Sequence, residues 1–385
     1  MKSSLFSIVW QLFFAVGLCA WVGCQQETGN AKAAPASETL TRADELRDRV
    51  DAVLHDTLVH RQLGHPRNGA WQILHGVLAY GASFEIVLEH DGQRVPALDW
   101  TMNGGQLDGW TMRRGEVGLK AVLEQGTKRG QGHEDQWLAV IAQCDLPSSH
   151  PIRVAGDEFT IADLLNQSMY DVYEDKECSW TLIGFSHYLP LDASWQARDG
   201  QTWTLEKIMA MEARQDINLS ACGGSHRLIG MQMALDKFRA AHPEEPLTGG
   251  WLAAQEKIDW AVRKARENQL PSGAFSVNYF SRAGNSSNLA DHLGATGHTL
   301  EFLALALPAE ELQADWVVRA TNYLCELFEI TADTDLECGA LYHAVHGLVL
   351  YRQRRWGAWP RPEKPAETPS NVTRREPDAA IRRAS

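Results

Sequence analysis

Positive charge is scarce in this sequence: 36 lysines and arginines stand against 49 aspartates and glutamates in 385 residues, a formal net charge of −13 at pH 7. Nucleic-acid affinity rests on clustered cations that neutralise phosphates. The one Arg-rich stretch is a C-terminal tail broken by Pro, Glu and Asp, so nucleic acid is excluded as a partner. Cysteine is sparse as well. Beyond Cys19 and Cys24 the chain holds Cys144, Cys178, Cys222, Cys325 and Cys338, an odd set and too few for a disulfide scaffold. Also missing are a Walker loop, a dinucleotide-binding glycine fingerprint, a Gly-x-Ser-x-Gly elbow and a His-Glu-x-x-His pair, which removes the nucleotide, hydride, serine-hydrolase and zincin signatures.

What is present begins with an address. Lys2 precedes the uncharged apolar run "LFSIVWQLFFAVGLCAWVG", which ends in Trp21-Val22-Gly23-Cys24. A small residue before a cysteine resembles a bacterial lipobox, so residues 1–23 read as a signal peptide and Cys24 as the lipidated residue. Residues 24–40 are small and polar and read as a tether; 41–355 form the body; 356–385, rich in Pro, Arg and Glu, read as a disordered tail. The expected location is extracytoplasmic, anchored to a bacterial envelope membrane through that lipid.

Within the body, "FTIADLLNQSMYDVYEDKECSWTLIG" from Phe159 and "WTLEKIMAMEARQDINLSACGGSHRLIG" from Trp203 align at an offset of 44 residues, matching Thr160 with Thr204 and Cys178 with Cys222, with two residues inserted in the second copy. Each unit reads as a helix capped by threonine, a turn, and a second helix opening near the cysteine. Apolar helices recur around Gly76, Trp137, Gly184, Gly230, Phe302 and Gly347, at intervals of 61, 47, 46, 72 and 45 residues, and alternate with more polar amphipathic ones. Inner and outer rings of a helical barrel require that alternation. Mid-helix glycine costs about 1 kcal/mol relative to alanine, so its recurrence implies close helix packing. The fold class expected is all-α: an (α/α)6 toroid of six helical hairpins. A β-hairpin is inserted at "FEIVLEHDGQRVPALDW", and a long loop is expected over "PSGAFSVNYFSRAGNSSNLADHLGATGH".

With "QLPSGAF", in which Gln269, Gly273 and Phe275 keep the spacing of a Gln-x3-Gly-x-Trp turn, the chain resembles the α/α toroids of the terpenoid cyclase and protein prenyltransferase group. The barrels of glycoside hydrolases and polysaccharide lyases are a second likeness. Prenyltransferases hold zinc with Asp, Cys and His, which the resemblance places on Asp335, Cys338 and His343. "ADTDLE" is similar to the acidic motif of proton-initiated cyclases and again singles out Asp335.

Chemistry-bearing residues gather near the starts of the apolar helices: His75, His133, His226, His298 and His343, with His346 one turn on and Asn288, Asp291 and His292 on the approach. Paired histidines and carboxylates suit proton abstraction or acid–base hydrolysis. His226, His298, His343, Asp291 and Asp335 are therefore the catalytic candidates, and His75, His133 and His292 the ligand-binding ones. Cys222 with His226, and Cys338 with His343, have spacings that would hold zinc if helix starts converged; read as turn cysteines, they need no cofactor. Three functions stay open: a binding or scaffold protein for a glycan, peptide or lipid; a polysaccharide lyase or glycoside hydrolase; and a zinc-dependent or isoprenoid-handling enzyme. Convergence of His226, His298 and His343 with Asp291 or Asp335 on one reachable pocket would favour an enzyme.

Overall fold

The computed structural model describes residues 36–361, with side chains from residue 42 on. The expected signal peptide, Cys24 and the tail beyond 361 lie outside the described residues. Twelve α-helices follow one another as six pairs: α1 (Ala36–His60) with α2 (Ala70–Tyr80), α3 (Ala97–Met102) with α4 (Gln136–Ala142), α5 (Ile161–Tyr170) with α6 (Ser179–Tyr188), α7 (Leu205–Arg214) with α8 (Ser225–Ala241), α9 (Gly249–Glu267) with α10 (Leu289–Ala306), and α11 (Asp315–Ile330) with α12 (Cys338–Trp356). The last five residues of the expected tether are thus the first five of α1. At the other end Trp356 and Trp359 pack against the core, so the tail expected to be disordered is ordered to 361. Among the described residues no helix is long and apolar enough to cross a membrane.

Sequence separates the two helix classes. In α9 the buried residues Gly250, Trp251, Ala254, Ile258, Ala261 and Ala265 form one stripe at helical spacing, which is what a helix with one wet face shows. In α10 every residue from Ala295 to Ala304 is buried. The even-numbered helices are the ones that carry the recurring Gly76, Trp137, Gly184, Gly230, Phe302 and Gly347. They pack in succession, α2 on α4, α4 on α6, α6 on α8, α8 on α10 and α10 on α12, and α12 packs back on α2. Glycine sets two of these approaches. A Cβ on Gly230 would lie 2.3 Å from the Ser179 carbonyl oxygen of α6, and one on Gly297 would lie 2.6 Å from Cα of Ala344 in α12.

Four small strand sets join the pairs. The expected hairpin is β2 (Glu85–Leu88) with β3 (Gln93–Pro96), joined on its other edge by the parallel two-residue β1 (Gly64–His65). Three further antiparallel pairs extend beyond the expectation: β4 (Met112–Arg114) with β5 (Leu119–Ala121), β6 (Pro151–Val154) with β7 (Asp157–Thr160), and β8 (Ser194–Gln196) with β9 (Thr202–Thr204). The last two occupy matching repeat positions and end on the threonines that cap α5 and α7. Thr160 and Asp163 form the reciprocal capping box, and the Thr204 hydroxyl accepts from Lys207 N–H.

Candidate functional site

The long loop expected to reach His298 ends ten residues earlier. Asn288 accepts a hydrogen bond from Ala290 N–H and Asp291 lies in the first turn, so "LADHLGATGH" opens α10. His298 therefore stands in mid-helix, one face of a turn that also carries Glu301. His75 and His343 each lie about one and a half turns into α2 and α12, His226 is the second residue of α8, and His133 is in the loop before α4. Despite these different depths, all five line one cavity of about 530 Å³, with Trp71, Gln136, Cys222, Asn278, Tyr279, Asp291 and Glu337.

The histidines form a contiguous cluster. Ring centroids of His298 and His343 are 4.1 Å apart, those of His226 and His343 4.8 Å, of His226 and His298 5.1 Å, of His75 and His343 5.1 Å, and of His133 and His226 5.5 Å. Trp180 lies against His226 at 4.6 Å and Trp71 against His75 at 4.3 Å. Four of the five imidazoles are anchored through Nδ1. His75 Nδ1–H donates to the Trp71 carbonyl (2.5 Å) and His298 Nδ1–H to the Gly294 carbonyl (2.7 Å). His343 Nδ1–H donates to Glu301 Oε2 (2.8 Å) and His133 Nδ1–H to Glu177 Oε1 (3.1 Å). In the neutral ring, fixing one nitrogen as the donor leaves the other as a lone pair, the tautomer a metal ligand needs. His226 differs: it is 4% exposed and neither ring nitrogen has a partner, and Nε2 of His298 is likewise buried without one. Native interiors rarely tolerate such orphans.

Glu301 adds an electrostatic demand. It is 3% exposed, and its ion-pair partners are both histidines, His343 and His346, at 2.8 and 2.6 Å. Burial raises a carboxyl, but the charge and hydrogen bonds of His343, with those of His346, hold Glu301 well below the usual range. Burial in turn pushes the His343 imidazole down, away from carrying that charge. A cation bound beyond His343 would satisfy both at once. His226 is pushed well below its ordinary value by burial and by the charges of His343, His298 and His133, so it too is neutral and able to ligate.

Cys222 enters by a turn of left-handed residues, Cys222 (φ 51°), Gly223 (φ 60°) and Gly224 (φ 78°). These glycines are the two residues inserted relative to the Cys178 repeat. A Cβ on Gly223 would lie 2.1 Å from the Tyr279 ring. The insertion thus carries Cys222 to the cavity, whereas Cys178, without it, is a buried helix cap whose N–H donates to Glu212 (2.9 Å). Burial raises the Cys222 thiol, but the charges of His298 and His133 beside it outweigh that and bring the thiol down to about 6. Cys222, with Glu177 at His133 and Glu301 at His298, outweighs burial and raises each imidazole to about 9, so in the metal-free protein both carry a proton that an incoming ion would displace. Tyr279 shares the strain, with φ at 51°, a region costly for a bulky side chain.

The remaining candidates are placed elsewhere. Asp335 and Cys338 line a neighbouring cavity with Arg61, Arg67 and Lys128, so the Asp335–Cys338–His343 zinc set implied by the prenyltransferase likeness is not assembled. Asp335 lies three residues before the first residue of α12, and His343 is the sixth residue of that helix. His292 is buried behind the cavity, its Nε2 3.0 Å from the Ser286 carbonyl and its ring against Tyr323. The residues the sequence reading missed are Glu301, Glu177, Trp71 and Tyr279. For Glu301 the signal was available: a lone charge in the apolar run "HTLEFLALAL", three residues from His298.

Among the described residues two sets of side chains meet the distance requirement of a metal ion, His226 with His298 and His343, and His133 with Cys222 and His226; within each set the donor atoms all lie within 4.8 Å of one another. Donors around tetrahedral zinc, at bonds of about 2.0–2.1 Å, are roughly 3.4 Å apart, inside the 4.8 Å that each set spans at most. No protein-family model, curated protein or solved structure matches the chain.

Proposed function

We propose that the chain is a metal-dependent hydrolytic enzyme, its six apolar helices forming the inner wall of an α/α toroid and its metal held by His226, His298 and His343. The observation that carries the reading is the buried imidazole cluster: rings anchored through Nδ1, orphan nitrogens on His226 and His298, and a carboxylate behind His343. Three histidines with an open side toward a cavity are the ligand set of catalytic rather than structural zinc, and imidazole donors favour zinc-class ions over magnesium or calcium. Such an ion supplies Lewis acidity toward water or a polarised substrate bond.

The chain's own groups do the rest. Glu301 fixes the tautomer of His343 and balances charge. Asp291, held by the Ser286 hydroxyl (2.7 Å) and Asn288 amide (3.1 Å), stands at the cavity as a proton acceptor. Trp71 and Tyr279 offer aromatic walls. None of the lining residues is lysine or arginine, which supports a neutral or cationic polar substrate, a neutral glycan or an amide, and weighs against the uronate polymers that a lyase would take. The convergence of His226, His298, His343 and Asp291 on one cavity favours this reading over a passive scaffold. We place the enzyme outside the cytoplasm on the lipobox-like Gly23-Cys24.

The test is turnover of a panel of neutral glycosides, esters and amides by the full chain, as purified, after chelation and after zinc is restored. Activity lost on chelation and recovered with zinc is expected, with His298→Ala inactive throughout. Activity indifferent to chelation would overturn the reading.

A further inference from the structure

A single ion on His226, His298 and His343 uses one nitrogen of His226. The other would remain buried and unpartnered in a residue 4% exposed. The second set, His133, Cys222 and His226, meets the first only at His226. Each set also has its own carboxylate behind a histidine, Glu301 behind His343 and Glu177 behind His133. Resting on the metal-site reading above, we propose that the centre is dinuclear: a second zinc-class ion is held by His133, Cys222 and His226, and the His226 imidazole bridges the two ions.

Bridging accounts for both orphan nitrogens of His226 with one event. It requires His226 to lose its remaining ring proton, and the Cys222 thiol to lose its own; both leave to solvent as the second ion enters. The charges then close. Two divalent cations face the Cys222 thiolate, the His226 imidazolate and the carboxylates of Glu177 and Glu301. Thiolate selects against magnesium and calcium at this position, so the two positions together take zinc or cobalt. The repeat explains how the second set came to exist. The Gly223-Gly224 insertion turns Cys222 inward, whereas its counterpart Cys178 stays a cap.

The test is a titration of the demetallated full chain with Co(II), and separately Zn(II), with bound metal counted by elemental analysis after desalting and the thiolate-to-cobalt absorption followed in the near ultraviolet. Two ions per chain and a thiolate band are expected for the wild type. Cys222→Ser and His133→Ala should each fall to one ion and lose the band, while His343→Ala should keep the band. Saturation at one ion per chain without the band would overturn the second position and leave the mononuclear site standing; one ion with the band would overturn the three-histidine site and the dinuclear centre with it, because no thiolate belongs to that site. No bound metal at all would overturn both.

Discussion

At the scale of single residues the centre is governed by what each buried polar atom lacks. Glu301 shows this most plainly, because a carboxylate 3% exposed with only histidines for company needs positive charge nearby. Glu301→Gln keeps the shape and removes the charge. Loss of a carboxylate behind a metal-bound histidine typically costs 10- to 100-fold in metal affinity, and a loss of that size is the expected outcome in competition with a fluorescent chelator, with the far-ultraviolet circular dichroism unchanged. A second buried charge is structural. Asp135 accepts from Lys176 Nζ (2.8 Å), the Ser168 hydroxyl (2.7 Å) and the Thr181 hydroxyl (2.5 Å), tying α4, α5 and α6 together. Burial would raise the Asp135 carboxyl, and Lys176 with the two hydroxyls brings it down. Lys176→Met strands that charge and should cost about 3–5 kcal/mol in urea unfolding; the double variant with Asp135→Asn should be less destabilised than Lys176→Met alone.

At the scale of elements, helix spacing was legible and helix starts were not. Helices lie around Gly76, Trp137, Gly184, Gly230, Phe302 and Gly347, as the recurring apolar segments put them, because a helix with a wide buried face needs such a segment. The start of α10 was misplaced because Gly294 and Gly297 read as loop residues, whereas Gly297 is helical to let Ala344 approach. The hairpins β6–β7 and β8–β9 carried turn signals, Ala155-Gly156 and Asp199-Gly200, in short alternating runs that are weak against a helical background. Within the site, His226, His298 and His343 were legible as residue types at helix ends. Which of them face one another depends on side-chain depth along different helices, and no spacing in one chain encodes that. Close packing of the apolar helices gives its own prediction. Gly230→Ala, with its new methyl 2.3 Å from the Ser179 carbonyl oxygen, should destabilise by about 1–3 kcal/mol, read as a lowered urea midpoint.

At the scale of the whole molecule, the centre couples folding to pH and to metal. Burial pushes His75 from 6.5 down to about 4. Between those values the unfolded chain binds a proton that the folded chain refuses, so stability falls as pH drops through that window. That single group accounts for on the order of 3 kcal/mol, and His226, shifted the same way, adds to it. The Cys222 thiol, brought from 9.0 down to about 6, gives up its own contribution earlier, as pH falls from 9 to 6. The metal-free protein should therefore lose melting temperature between pH 6.5 and 4, more steeply than the His75→Asn variant. Metal binding works in the opposite direction: an ion present at 1,000 times its dissociation constant adds about 4 kcal/mol.

The central claim, that buried histidines from α8, α10 and α12 gather around a metal, is tested most directly by the zinc content of the full chain purified without chelator and then equilibrated with zinc and desalted. The account predicts at least one tightly held zinc per chain, abolished when His226 is replaced by alanine and the protein remains folded. A folded wild-type chain that retains no zinc would contradict it.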